Sequence, residues 1–222
     1  MNGFINLLKP PGMTSQDAVS RVKRLLPRGT SVGHGGTLDP DAAGVLPICV
    51  GRATRLFDYI VDKRKEYIGE LALGVSTDTC DSSGHIIEQS ACLPGRAEVE
   101  KALASFVGDI MQVPPEFSAC KVDGKRAYLL MRKGKDVELK AKPLHIDEIE
   151  LLAFSPEDMT LTIRVVCGKG TYIRALARDI GADLQSGAFL TQLRRTRVGQ
   201  YHVDEAIDMD DFPQWLDHML NQ

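Results

Sequence analysis

The chain is poor in the features that would mark it as secreted, metal-bound or membrane-embedded. Its five cysteines (Cys49, Cys80, Cys92, Cys120 and Cys167) are odd in number, widely scattered and never in a C-x-x-C pair. That pattern excludes a disulfide framework and a zinc ribbon, and fits reduced thiols in a cytoplasmic protein. The histidines are equally dispersed, so no metal is expected. No apolar run approaches the roughly 20 residues needed to cross a bilayer. The first residues lack a basic start and are soon broken by Pro10-Pro11, unlike a secretory signal. There is no internal repeat and no low-complexity segment. Gly168-Lys169-Gly170-Thr171 lacks the G-x-x-x-x-G-K-S/T order of a triphosphate loop, so that chemistry is set aside.

What is present centres on the loop at residues 33–48, which contains Gly33, Gly35, Gly36 and Gly44 together with Pro40 and Pro47. Glycine lets a ligand or another backbone approach closely, and Pro40 restricts Asp39 before it. Asp39 would then be a carboxylate on a stiff, open ledge. Spacing alone leaves a second reading open, in which Asp39 merely forms the turn.

The 222 residues, 43% of them apolar, are enough for one large domain or a domain with an insertion. A strand is expected at 4–8. A helix capped by Thr14 follows, with Ala18, Val19, Val22, Leu25 and Leu26 as its stripe. A buried strand at 45–50 precedes a helix at 53–61 carrying Leu56, Phe57 and Ile60. Residues 66–75 alternate, with Tyr67, Gly69, Leu71 and Leu73 on one face, and should pair antiparallel with a strand near 85–88. A helix is expected at 97–107, strands at 144–152, 159–167 and 189–198, and a closing helix after Pro213. The helix starting at Tyr172 carries Ile173, Leu176, Ala177, Ile180 and Leu184. Mixed strands, helices and hairpins indicate an α+β fold. Residues 114–143, with a hairpin signal at Asp123-Gly124 and a short helix expected at 127–132, read as an outward insertion.

Net charge is only −3, but its distribution is uneven. One basic block holds Arg21, Lys23, Arg24 and Arg28, and a second runs through Lys125, Arg126, Arg132, Lys133, Lys135 and Lys140. The third is Arg194-Arg195-Thr196-Arg197, while acids gather near the C-terminus. Such blocks fit either solvated faces or a one-sided surface for a polyanion.

Several separated stretches together resemble the TruB family of tRNA pseudouridine synthases. They are Gly36-Thr37-Leu38-Asp39-Pro40 through Gly44-Val45-Leu46-Pro47, then Gly51-Arg52-Ala53-Thr54-Arg55, Lys65-Glu66-Tyr67 and Thr77-Asp78-Thr79 to Asp81. Gly168-Lys169-Gly170-Thr171-Tyr172-Ile173-Arg174 and Leu193-Arg194-Arg195 complete the set, and the opening residues 3–15 also look like the family's start. The resemblance implies a pseudouridine synthase fold, a mixed and largely antiparallel sheet flanked by helices, forming a single catalytic domain over 1–222. It implies isomerisation of uridine to pseudouridine at position 55 in the TΨC loop of tRNA, by base flipping and without cofactor or metal.

By motif position Asp39 would be the nucleophile. Tyr67 would stack on the flipped base, with a strand aromatic in the core as its other reading. Arg174 would pair with Asp39, because a carboxylate closed off from water needs a nearby cation to stay ionised. Tyr172 would lie near the uracil, Leu193 would line the pocket, and His34 would contact RNA. Asp81 would position the substrate loop or a neighbouring basic residue. Arg55 stands where the family often has Lys, which keeps the charge but alters hydrogen-bond geometry. The insertion at 114–143 matches the family's RNA-binding thumb. No PUA domain is expected, since the residues after Tyr201 are few and acidic. The partner would be the tRNA T-arm, with no membrane and no obligate protein partner, and the chain a monomer. Two alternatives are a tRNA-binding folding chaperone whose modification is incidental, and a guide-RNA-dependent rRNA pseudouridine synthase.

Overall fold

The computed structural model describes residues 1–92, 94–116, 121–122, 125–126 and 139–221. The first strands are β1 (Gly3–Lys9), β2 (Val32–His34), β3 (Ala43–Val50), β4 (Lys65–Leu73), β5 (Val75–Thr77), β6 (Ile86–Gln89) and β7 (Gly108–Gln112). They are followed by β8 (Lys121–Val122), β9 (Lys125–Arg126), β10 (Lys142–Ser155), β11 (Thr160–Cys167), β12 (Ala188–Val198), β13 (Tyr201–His202) and β14 (Ile207–Asp208). The helices are α1 (Ser15–Leu25), α2 (Phe57–Val61), α3 (Arg96–Ser105), α4 (Ile173–Asp183) and α5 (Phe212–Leu220). Two compact units result, one of Met1–Ile68 with Leu193–Gln222 and the other of Gly69–Gln192. The chain passes between them within β4 and within β12.

In the first unit β1 lies antiparallel to β3, from Gly3 opposite Val50 to Lys9 opposite Gly44. β14 adds parallel to β1, and β12 parallel to β3 with Arg194 opposite Ala43. Strand alternation puts Ile5, Leu7, Leu46, Ile48 and Val50 on one face, where Ala18, Val19 and Val22 of α1 and Phe212 and Leu216 of α5 cover them. Val45 and Val198 point the other way and pack with Ile60. The α1 start is fixed by a capping box: the Thr14 hydroxyl accepts from the Asp17 N–H at 3.0 Å, and the Asp17 carboxylate accepts from the Thr14 N–H. Leu25, expected in the buried stripe, is instead 46% exposed, and Arg21, Lys23 and Arg24 are exposed beside it.

The helix expected at 53–61 divides in two. A 3₁₀ turn over Gly51–Leu56 precedes α2. Three residues per turn shift the phase of the stripe, so Leu56 and Phe57 emerge and Ile60 alone of the expected three is buried.

In the second unit β10 pairs antiparallel with β7 and with β11, Ile149 opposite Val165. β4, which passes from the first unit into the second after Ile68, alternates strictly, with Tyr67, Leu71 and Leu73 inward. It does not pair with the strand near 85–88. Gly74 (φ +88°) ends β4, and β5 beyond it pairs with β6, Val75 opposite Gln89. α4 buries Ile173, Leu176, Ala177, Ile180 and Leu184 as its spacing predicts. α3 stops at Ser105, which leaves Val107 exposed. β8 and β9 pair on either side of Asp123-Gly124, with Val122 opposite Lys125. The rest of the expected insertion at 114–143, including the helix at 127–132, lies largely outside the described residues.

Candidate active site

In the first unit the loop carrying Asp39 is tied down by groups that are themselves buried. The fully buried Lys9 ends β1 on its inward register, and its Nζ donates to the carbonyls of Pro10 (2.8 Å), Met13 (2.8 Å) and Pro40 (3.0 Å). Burial pulls its pKa down to about 8, against the upward pull of the Asp41 and Asp39 carboxylates. Ser15 Oγ donates to the Leu38 carbonyl at 3.0 Å and accepts from the Leu38 N–H at 2.8 Å. The Gly12 N–H reaches the Pro40 carbonyl, and the Ala42 N–H the Asp39 carbonyl. Both sides of Asp39 are therefore held by backbone contacts, and the side chain is left half-buried at the rim.

Arg195 is the second clamp. It is 1% exposed, and its guanidinium donates to the carbonyls of Val45 (2.8 Å), Thr37 (3.3 Å) and Gly36 (3.1 Å). The β12 strand passes so close to the loop that a Cβ on Gly44 (φ +120°) would strike the Arg195 backbone carbonyl. This corrects the reading of Arg194-Arg195-Thr196-Arg197 as one basic face. Alternation turns Arg194 outward and Arg195 inward, and Arg197 pairs with Glu66 at 3.7 Å.

The other expected residues of this unit are placed one by one. His34 closes β2 opposite Ile48 and is half-buried. Tyr67 is 7% exposed on the inward face of β4. Leu193 is half-buried in β12, and Arg55 is exposed in the 3₁₀ turn.

In the second unit Arg174, 6% exposed on α4, lies 3.4 Å from the Asp81 carboxylate and donates to the Thr79 carbonyl at 3.2 Å. Asp81 is fixed by its own turn. Its other oxygen accepts from the Thr79 hydroxyl (2.6 Å), the Ser83 hydroxyl (2.6 Å) and the Ser83 N–H (3.0 Å). One carboxylate thus reads a rigid turn on one side and orients a guanidinium on the other. Tyr172, the N-cap of α4, is gripped through its backbone by buried Gln112, which accepts from the Tyr172 N–H at 3.0 Å and donates to its carbonyl at 3.2 Å.

The sequence assigns no role to Lys9, Ser15, Gln112 or Arg195, although Lys9 and Ser15 lie in the opening family-like stretch and Arg195 in the last one. Lys9 carries one further signal: it continues the inward alternation Ile5, Leu7, Lys9. Asp81 and Arg174 are brought together directly. Asp39, His34, Arg55, Tyr67 and Leu193 are built in the first unit, and Tyr172 with that pair in the second.

A carboxylate held at the rim of a backbone-clamped loop can act as a nucleophile toward a ring or sugar carbon. The family model "TruB family pseudouridylate synthase (N terminal domain)" matches residues 23–173. The model "tRNA pseudouridylate synthase B C-terminal domain" matches residues 174–221. The chain is 49% identical to the tRNA pseudouridine synthase B of Bacteroides thetaiotaomicron over 225 residues, covering 94% of this chain and 90% of that one. The protein of the same name from Phocaeicola vulgatus is 52% identical over 219 residues, covering 94% and 91%. Among solved structures, a chain of a Cbf5-Nop10-Gar1 complex is 31% identical with a TM-score of 0.74. That match takes in 96% of this chain but only 54% of that longer one. With both family models matched and relatives near half-identical along most of its length, the chain belongs to the TruB family of pseudouridylate synthases.

Proposed function

We propose that the protein isomerises uridine to pseudouridine at position 55 in the TΨC loop of tRNA, with Asp39 as the nucleophile. The observation that carries this reading is the Asp39 ledge, clamped by Lys9, Ser15 and Arg195, in a chain whose near relatives are named tRNA pseudouridine synthase B. The reaction breaks the N1–C1′ bond, turns the freed base and joins C5 to C1′. The proton lost at C5 is balanced by one gained at N1, so no co-reactant is consumed. The target uridine must first leave its stack, at a cost of roughly a few kcal/mol. In this reading Tyr67 meets the flipped ring, and Tyr172 handles the proton at the ring carbon. Leu193 lines the pocket, while His34 and Arg55 contact the RNA. Arg174, oriented by Asp81, supplies positive charge to the reacting centre, and residues 114–143 contribute RNA contacts. The protein works in the cytoplasm as a monomer, without metal, cofactor or obligate protein partner.

Relatives near 50% identity, named tRNA pseudouridine synthase B, favour tRNA over the guide-dependent alternative. The test is pseudouridine mapping on an unmodified tRNA transcript incubated with the protein alone. Pseudouridine at position 55 without any guide RNA is expected. Modification elsewhere, or only with a guide, would overturn the reading.

A further inference from the structure

The turn from Gly51 to Lys63 exposes apolar side chains that its fold does not require. Leu56 is 53% exposed, Phe57 41% and Tyr59 59%, all within four consecutive positions. Cations flank them. Arg52 and Arg55 are exposed, and among the described residues neither guanidinium has a hydrogen bond or an ion pair. Lys63 Nζ lies 3.8 Å from the centroid of the Tyr59 ring. Arg52 and Arg55 stand three residues apart, the repeat of the 3₁₀ turn, and Lys63 is drawn onto the Tyr59 ring just beyond it. Asp58 and Asp62 are the acids of the segment, so its cations Arg52, Arg55 and Lys63 leave it net positive.

This turn is anchored to the catalytic loop from behind. Gly35, four residues before Asp39, packs so closely on Ile60 that a Cβ there would meet the Ile60 side chain. Buried Lys65 donates to the carbonyls of Val61 (2.6 Å) and Lys63 (2.8 Å), and its Cε lies 3.9 Å from where a Cβ on Gly36 would stand. The exposed surface is thus a rigid continuation of the element that presents Asp39.

We infer that the Arg52–Lys63 turn is an RNA-docking surface contiguous with the active-site loop. Tyr59 and Leu56 take a base or ribose face, and Arg52 and Arg55 take backbone phosphates. Aromatic surface interleaved with cations matches single-stranded or looped RNA, where bases stack on rings and phosphates are read by charge. An acidic or purely apolar protein partner would leave either the ring or the free guanidinium groups unused. The inference rests on the proposed RNA substrate and extends its footprint beyond Arg55 to Arg52, Tyr59 and Lys63.

The test compares the full chain with Arg52→Gln, Tyr59→Ala and Tyr59→Phe. Affinity for an unmodified tRNA transcript is measured from 50 to 300 mM salt, together with kcat and KM for pseudouridine formation. Tyr59→Ala should weaken binding by roughly tenfold, through KM, with kcat at saturating tRNA unchanged. Tyr59→Phe should restore most of it. Arg52→Gln should reduce the slope of log affinity against log salt by about 0.7 to 0.9, the value of one phosphate contact. Unchanged affinity and slope in folded, active variants would overturn the inference while leaving the proposed activity standing. Absence of pseudouridine formation by the unmutated protein would instead remove the reading on which the inference rests.

Discussion

Replacing Lys9 with Met tests whether the ledge under Asp39 is held by a buried cation. Lys9 makes three short hydrogen bonds to backbone carbonyls and is fully buried. Methionine fills similar volume but leaves those carbonyls without the donor. Pro40 still accepts from the Gly12 N–H, so the loss falls mainly on Pro10 and Met13. Two under-satisfied, part-buried carbonyls cost about 1–3 kcal/mol each. Removing the ammonium also relieves the desolvation that lowers its pKa, an offset of about 3 kcal/mol, so the net destabilisation should be up to about 3 kcal/mol. For a protein of this size that is a fall of up to roughly 12 °C in Tm. Thermal unfolding followed by circular dichroism reads the stability, and tritium release from tRNA tritiated at uridine C5 reads turnover. Turnover should fall more than binding, because the displaced atoms are those that aim Asp39. A variant with unchanged Tm and turnover would refute the clamp.

Further outcomes follow from the same contacts. Lys9 titrates near 8 when folded and near 10.5 when unfolded, so between those values the unfolded chain holds the extra proton. The cost of the buried ammonium is therefore fully present below about pH 8 and is relieved as pH rises toward 10.5. The stability difference between wild type and Lys9→Met should widen across that window in urea titrations at stepped pH. Gly44→Ala combines a backbone angle disfavoured for alanine with a collision against the Arg195 carbonyl. It should destabilise by roughly 3 kcal/mol or more, measured by the same unfolding. Asp81→Asn keeps an acceptor for Thr79 and Ser83 but removes the charge facing Arg174. It should lower Tm by a few degrees, because the buried guanidinium loses its facing charge, and lower kcat by roughly 10- to 100-fold, the scale of a misplaced reacting group.

Much of the scaffold was legible because period carries it. The strict alternation of β4 and the stripe of α4 follow directly from residue spacing. Leu56 and Phe57 were misplaced because a 3₁₀ turn has the same composition as an α-helix but a different phase. Lys9 and Arg195 were missed for another reason. A charged residue reads as surface, and the partners that make its burial tolerable are backbone carbonyls far along the chain, such as Pro40 for Lys9 and Val45 for Arg195. Main-chain acceptors leave no trace in side-chain pattern. Gln112 illustrates the same limit: it grips the backbone of Tyr172 from 60 positions away. Asp39 was visible as a candidate through its glycine-rich setting, whereas what keeps that setting rigid was not.

The central claim is that the Asp39 carboxylate attacks during uridine isomerisation. Asn fits the same space and keeps the loop's backbone contacts, but lacks the negative charge that makes the oxygen nucleophilic. The decisive measurement is tritium release from C5-labelled tRNA by Asp39→Asn at saturating substrate, with tRNA affinity measured alongside. The account predicts no release above background with binding largely intact. Release that persists in that variant would contradict it.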